Sequence, residues 1–85
     1  MRPGDVVSGT QASVTITGME WRIQLRQGGN SSVVLTVQGA RPNGVKVSRA
    51  WTLGGGPAAP TDAQINAARL QVEQTAEADI VGFLS

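Results

Sequence analysis

The side chains that most often perform acid–base and nucleophilic chemistry are missing from this sequence. It contains no histidine, cysteine or tyrosine, which removes the commonest general base, the reactive thiol and the phenol. Metal sites built from histidine or cysteine are excluded for the same reason. Without cysteine the chain also has no disulfide bond. We therefore expect no enzyme activity, no metal and no cofactor.

Three local patterns have residue types that suit chemistry but lack a necessary neighbour. Ser31-Ser32 has no base to activate a hydroxyl group. Gly54-Gly55-Gly56 precedes a predicted helix, as a phosphate-binding loop does, but no Gly-Lys-Ser/Thr follows it and nearby prolines remove backbone donors. Glu73 and Glu77 lie four residues apart on one helix flank, where a solvated charged surface is far commoner than a cation site.

Basic residues form the remaining pattern with a functional interpretation. Arg22 and Arg26 fall on one side of an extended chain, and Lys46 is expected on the same sheet face. A basic sheet face can follow phosphate groups, so a nucleic-acid-binding domain is the alternative function. Trp21 and Trp51 are expected on the opposite face, as core residues or as a sugar-stacking pair, which leaves no aromatic platform for base stacking. An arginine face that only aids solubility explains the same pattern.

Alternating apolar residues predict the strands that position these side chains. Glycine-bearing turns are expected at residues 27–30 and 41–44, between three strand-like runs. Arg49 shares the inward parity of the third run, which indicates a bulge or an edge strand with an inward charge. The inward sets of the three runs are Met19, Trp21, Ile23 and Leu25; Val33, Leu35 and Val37; and Val45, Val47, Trp51 and Leu53.

A change of parity marks the strand that comes before this meander. Val14 and Ile16 are even-numbered, whereas the inward set that begins at Met19 is odd-numbered. A bulge or kink at Gly18 would place both sets on one face, and a tight corner giving two strands is the alternative. Residues 6–8 are expected to form a short edge strand.

The C-terminal part of the chain predicts a helix with two apolar sides. Thr61 and Gln64 match a capping box, and Gly82 is expected to end the helix. The stripe expected to cover the sheet is Ile65, Ala68, Val72, Ala76 and Phe83, and a second stripe on the far side is Ala67, Leu70, Ala78 and Val81. We expect Leu70, Val81 and Leu84 to contact another chain, either by helix packing or with residues 80–84 added as a strand to a neighbouring sheet. The alternative is an ordinary solvated, alanine-rich helix side.

These patterns together predict one α+β domain of 85 residues. It comprises a small antiparallel β-meander of three to five strands (residues 1–53), a Gly/Pro connector (54–60) and one C-terminal α-helix (61–84) packed on one face. Residues 1–56 carry six basic and two acidic side chains, a net charge of +4, and residues 57–85 carry one basic and four acidic, a net of −3. Opposite charge in the two halves favours packing within the chain or association with a second protein.

The function expected from these features is that of a non-enzymatic structural or interaction protein within a larger assembly. Six of the seven basic residues are arginine, and glycine and alanine are abundant, a composition associated with GC-rich bacterial and phage genomes. An accessory protein of a bacteriophage particle, or a phage-encoded inhibitor of a host protein, is the concrete hypothesis. The expected partner is a protein or a second copy of the chain. No membrane span or signal peptide is expected, and the expected location is the cytoplasm or the virion.

Overall fold

The computed structural model describes residues 1–25 and 29–85, which form one antiparallel sheet and one helix. The sheet order is β1-β2-β3-β4, a meander in which each strand pairs with the next along the chain. The predicted α+β class is therefore confirmed. The elements are β1 (Val6–Ser8), β2 (Ser13–Leu25), β3 (Ser31–Ala40), β4 (Lys46–Gly56) and α1 (Asp62–Phe83).

The bulge predicted at Gly18 is present between β2 and β3. Ile16 pairs with Gly39 and Gly18 pairs with Gln38, so Thr17 is an extra residue on β2. This insertion changes the parity of β2, because each further residue points to the alternate face of a strand. Ile16 and Met19 consequently share the sheet face that α1 covers, and Ile16 is only 1% exposed.

The turn between β3 and β4 also matches its prediction. The Gly44 N–H donates to the Arg41 carbonyl at 2.9 Å, and the Val45 N–H donates to Asn43 Oδ1 at 3.1 Å. Gly44 has a φ of +86°, a conformation that glycine adopts without steric cost. The turn predicted at residues 27–30 extends outside the described residues.

The connector is shorter than its sequence indicated. β4 continues to Gly56, so the three glycines assigned to the connector lie in the strand. Thr61 then caps α1: its Oγ1 accepts from the Gln64 N–H at 3.2 Å, and the Gln64 Oε1 accepts from the Thr61 N–H at 2.9 Å. This confirms the predicted capping box. α1 ends at Phe83, one residue beyond the glycine considered as its stop and one residue before the predicted end at residue 84.

A narrow apolar core lies between α1 and the sheet, and β3 runs along its centre. The buried helix positions drift around the helix: Val72, Ala76 and Leu84 are buried and Ile80 is half-buried. A spacing of four residues turns the inward side by about 40° per step, since each residue turns about 100°. Phe83, predicted to face the sheet, is therefore 66% exposed. The buried apolar residues are Val7, Val14, Ile16, Val33, Leu35, Val37, Val72, Ala76 and Leu84.

The C-terminal end of α1 is fastened to the loop between β1 and β2. The Leu84 carbonyl accepts from the N–H groups of Gln11 at 2.9 Å and Ala12 at 3.0 Å. Gly9 lies so close that an added Cβ would overlap the Leu84 carbonyl group. The alternative in which residues 80–84 form a strand is wrong, because residues 80–83 are helical. In the described part of the chain, no helix combines the length and apolar character that crossing a membrane requires.

Candidate interaction surfaces

A cleft between β4 and the second half of α1 is one candidate for a small-molecule site on this fold. Its volume is about 410 Å³, and its floor includes Val37, Val47 and Ile80. Arg49 and Phe83 lie at its rim, and no carboxylate lines it. The lining therefore offers no general base. Among residues 1–25 and 29–85, no group of three acidic side chains is placed to hold a metal ion.

Two side-chain contacts join the outer margin of β4 to α1. The Arg49 guanidinium lies over the ring of Phe83, 3.8 Å from its centroid, a cation–π contact. The Trp51 Nε1–H donates to Asp79 Oδ2 at 2.8 Å. Arg49 thus lies on the helix side of an edge strand, which confirms the predicted edge with an inward charge. The sequence placed Phe83 on the sheet-facing stripe of the helix, but it gave no signal for Asp79 as a contact partner.

The outer side of α1, defined by Ala67, Leu70, Ala78 and Val81, faces away from the sheet. Leu70 is 59% exposed and Val81 is 37% exposed. Their position agrees with the second apolar stripe read from the sequence, and their contact with another chain stays a prediction. Glu77 lies beside this surface and is exposed.

Leu84, predicted with Leu70 and Val81 as a partner-binding residue, requires a correction. It is only 6% exposed and belongs to the core formed with Val7 and Val14. Because the buried side of α1 rotates by about 40° every four residues, Leu84 lies against the sheet and Phe83 is exposed. Leu84 is therefore not available to a second protein.

The face of the sheet opposite α1, which we call the open face, holds Arg22 and Lys46 far apart, the two of the predicted basic residues that the structure describes. Arg22 lies opposite Val34 and Lys46 lies opposite Ala40, positions on β3 about 20 Å apart at the usual rise per residue. Arg22 also lies 3.7 Å from Glu20, which offsets its charge. Arg26, the third residue of the predicted nucleic-acid surface, lies outside the described residues. Both tryptophans belong to the helix-covered side, as predicted.

The two edges of the sheet differ in length and in cover. β1 pairs only with residues 13–15 of β2, so residues 18–25 of β2 have no second strand partner in the described part of the chain. β4 is eleven residues long, and its side away from β3 has no partner strand among residues 1–25 and 29–85. An unpaired edge presents free backbone N–H and C=O groups to a strand from another chain.

Comparison with known proteins identifies no relative from which to transfer a function. No protein-family profile matches the sequence, and neither the curated proteins nor the solved structures compared with it include a match. The surfaces of the chain itself therefore carry the functional conclusion.

Proposed function

We propose that this chain is a non-enzymatic structural component that contacts other protein chains within a larger assembly. The contact surface is the outer side of α1, and a second copy of the chain is the first partner to test. The observation that carries the proposal is the exposure of Leu70 and Val81 on the helix side that its own sheet does not cover.

The energetic reason is the burial that a second chain would add. Full burial of a leucine or valine side chain is worth about 1.5–3 kcal/mol relative to its exposure. A domain of this size buries only about 60–65% of its unfolded surface, so a contact across α1 adds substantially to a small core.

Charge supports a second copy as the partner. The helical half has a net charge of −3 and the sheet half a net charge of +4. When the acidic helix of one copy approaches the basic half of another, opposite charges meet and favour association.

The setting we propose for this assembly is a bacteriophage particle. Its support is the composition of the chain, in which six of seven basic residues are arginine and glycine occurs eleven times. An arginine-rich and glycine-rich composition is associated with GC-rich bacterial and phage genomes. This association is independent of the physical reasons for assembly.

Size-exclusion chromatography with light scattering tests the proposal. We expect the wild-type chain to be heavier than a monomer at about 0.15 M and about 0.5 M sodium chloride, because apolar contacts are not screened by salt. Leu70→Asp and Val81→Asp should each lower the measured mass, since each places a charge in the apolar contact.

Gln71→Asp is the matched control, because it adds the same charge at an exposed helix position outside the outer side of α1. Its mass should equal that of the wild type. A wild-type monomer at the highest concentration tested, or an assembly whose mass neither aspartate variant lowers, would contradict the proposal.

A further inference from the structure

We propose that β4 pairs antiparallel with β4 of a second copy, with Ala50 of each copy facing the other across a twofold axis. This inference deepens the proposed function by naming a second copy as the partner of a different surface, the edge of the sheet. The resulting sheet would contain eight strands, four from each chain.

The length and composition of β4 suit it for strand addition. β4 is eleven residues long, is unpaired on its outer side within the described residues, and contains no proline. Proline is one of the devices that block an exposed edge, as are very short strands and pronounced bulges. β4 keeps a regular register with β3 from Lys46 to Leu53, so its outer edge is a regular template over that length.

The register centred on Ala50 is favourable on both faces of the joined sheet. On the helix side it places Val47 opposite Leu53 and Arg49 opposite Trp51 of the second copy. On the open face it places Ser48 opposite Thr52, Ala50 opposite itself and Lys46 opposite Gly54. Cross-strand pairs of this kind stabilise antiparallel strands, and no two like charges are directly opposite.

The neighbouring registers are worse for physical reasons. A twofold axis perpendicular to the sheet puts α1 of both copies on the same side, so residues that face each other across the seam must point to the same face. The axis therefore lies midway between the two copies of one residue. An axis at Arg49 would place two guanidinium groups opposite each other. An axis at Trp51 would place Val47 opposite Gly55 and lose the apolar pair with Leu53.

Charges at the seam are complementary across the two copies. In the described part of the chain, no ion pair is formed by Arg49 or by Asp79. Asp79 accepts from the Trp51 indole, and the proposed register places Arg49 of the second copy beside that indole. Arg49 of each copy therefore approaches Asp79 of the other copy, and this contact occurs twice in one dimer.

The helices also fit side by side in this dimer. α1 lies mainly over β3, and three strand spacings separate β3 from β3 of the second copy. That distance is about 14 Å, whereas packed helices are about 8–10 Å apart. The helices do not clash, and the exposed Phe83 and the half-buried Trp51 of each copy occupy the remaining space.

Arg49 has an opposite role in the competing interpretation, in which an inward charge protects the edge from association. The two interpretations predict opposite effects of Arg49→Ala. Removal of a protective charge would strengthen self-association, whereas removal of the cross-strand partner of Trp51 and Asp79 would weaken it. We expect weaker self-association.

Single cysteines in this cysteine-free chain test the register directly. Ala50→Cys places two Cβ atoms about 4.5–5.5 Å apart across the axis, close enough for a disulfide after a small adjustment. Thr52→Cys is the control on the same strand and face, and its two copies would be about 14 Å apart. Under mild oxidation we expect the Ala50→Cys chain to cross-link at least about tenfold faster than the control. Equal rates, or faster cross-linking at position 52, would overturn the proposal.

A charge exchange between copies provides the second test. Arg49→Glu and Asp79→Arg should each weaken dimer formation, because each opposes like charges at both contacts of the seam. A mixture of the two variants should recover a heterodimer, in which both contacts again join opposite charges. Failure of the mixture to associate more strongly than either variant alone would overturn the proposal, and recovery would show that the contact is between chains.

The same cross-linking in the Leu70→Asp background separates this inference from the proposed function. Retained cross-linking at position 50 with a lower assembled mass supports both the contact through the outer side of α1 and the β4 pairing. Retained cross-linking with an unchanged mass contradicts the contact through the outer side of α1 and supports the β4 pairing. Loss of cross-linking at position 50, with the helix still folded by circular dichroism, contradicts an independent β4 edge.

Discussion

The β1 edge and the β4 edge of the sheet differ in length and in the contacts made there. The β1 edge is three residues long, and both chain ends lie against it: the Met1 amino group contacts Glu73 at 3.0 Å, and the Leu84 carbonyl accepts two hydrogen bonds from the β1–β2 loop. The β4 edge is eleven residues long, and Trp51–Asp79 is its one hydrogen bond to α1 among the side-chain bonds of the described residues. The terminal segments thus lie beside β1, which we call the closed edge, whereas residues 18–25 of β2 and the whole of β4, which we call the accessible edge, have no outer strand partner among the described residues.

The largest expected effect comes from removing the apolar anchor of the closed edge. Leu84→Ala should lower the free energy of unfolding by about 3 kcal/mol, because Leu84 is 6% exposed and its loss leaves a cavity. Leu25→Ala is the matched control, since Leu25 is 63% exposed and lies in neither proposed contact, and it should change stability by less than about 0.5 kcal/mol. Urea denaturation followed by tryptophan fluorescence measures both. Equal losses would contradict the placement of the two leucines.

A smaller loss is expected from a methyl group added where the chain end meets the β1–β2 loop. Gly9→Ala should lower stability by about 2 kcal/mol, because its Cβ would collide with the Leu84 backbone. Gly54→Ala, on β4, has open space around its added Cβ and should be neutral or slightly stabilising. Thermal denaturation of the two variants compares the closed edge with the accessible one, and a neutral Gly9→Ala would show that the loop packs differently.

The contact between the N-terminus and Glu73 predicts a modest dependence of stability on pH. The hydrogen bond that the Met1 amino group donates to Glu73 raises the pKa of that amino group above its usual 8.0; partial desolvation opposes this, and the nearby charges of Glu73, Glu77 and Asp5 add to it. Because the folded-state pKa is raised, the contribution is fully present below pH 8 and is lost as pH rises through the folded-state value. It should amount to less than about 1 kcal/mol, as for other ion pairs near a protein surface.

Thermal denaturation at neutral pH and near pH 9.5 measures this contribution. Glu73→Gln should show a smaller loss of stability between the two pH values than the wild type. The same loss in both chains would place its origin elsewhere in the molecule.

The smallest expected effect concerns nucleic acid at the open face. Arg22 and Lys46 lie far apart on it and Glu20 lies beside Arg22, so we expect no measurable binding of single-stranded DNA at about 0.15 M salt. Fluorescence anisotropy measures it. Tight, salt-sensitive binding that Arg22→Ala weakens would revive the nucleic-acid-binding alternative.

The sequence predicted the elements of this fold well because their signals are local. Strand alternation, the Gly18 parity change, the turn at residues 41–44 and the Thr61–Gln64 capping box each depend on neighbours in the chain, and each is confirmed.

The errors concern Phe83 and Leu84 at the end of α1, the connector glycines, which lie in β4, and the predicted inward residues Ile23, Leu25 and Val45, which are exposed. Sequence periodicity assumes one fixed inward direction, whereas the inward side of α1 drifts along the sheet. The cleft and the Trp51–Asp79 contact depend on residues far apart in the chain, for which periodicity offers no signal.

Hydrogen exchange of backbone amides in a dilute and a concentrated sample tests the central claim most directly, because β4 amides that point away from β3 are free only until another strand binds them. We expect exchange within residues 46–54 to slow markedly at high concentration, while residues 18–25 of β2 stay unchanged. Exchange in β4 that is independent of concentration, or slowing confined to β2, would contradict the account.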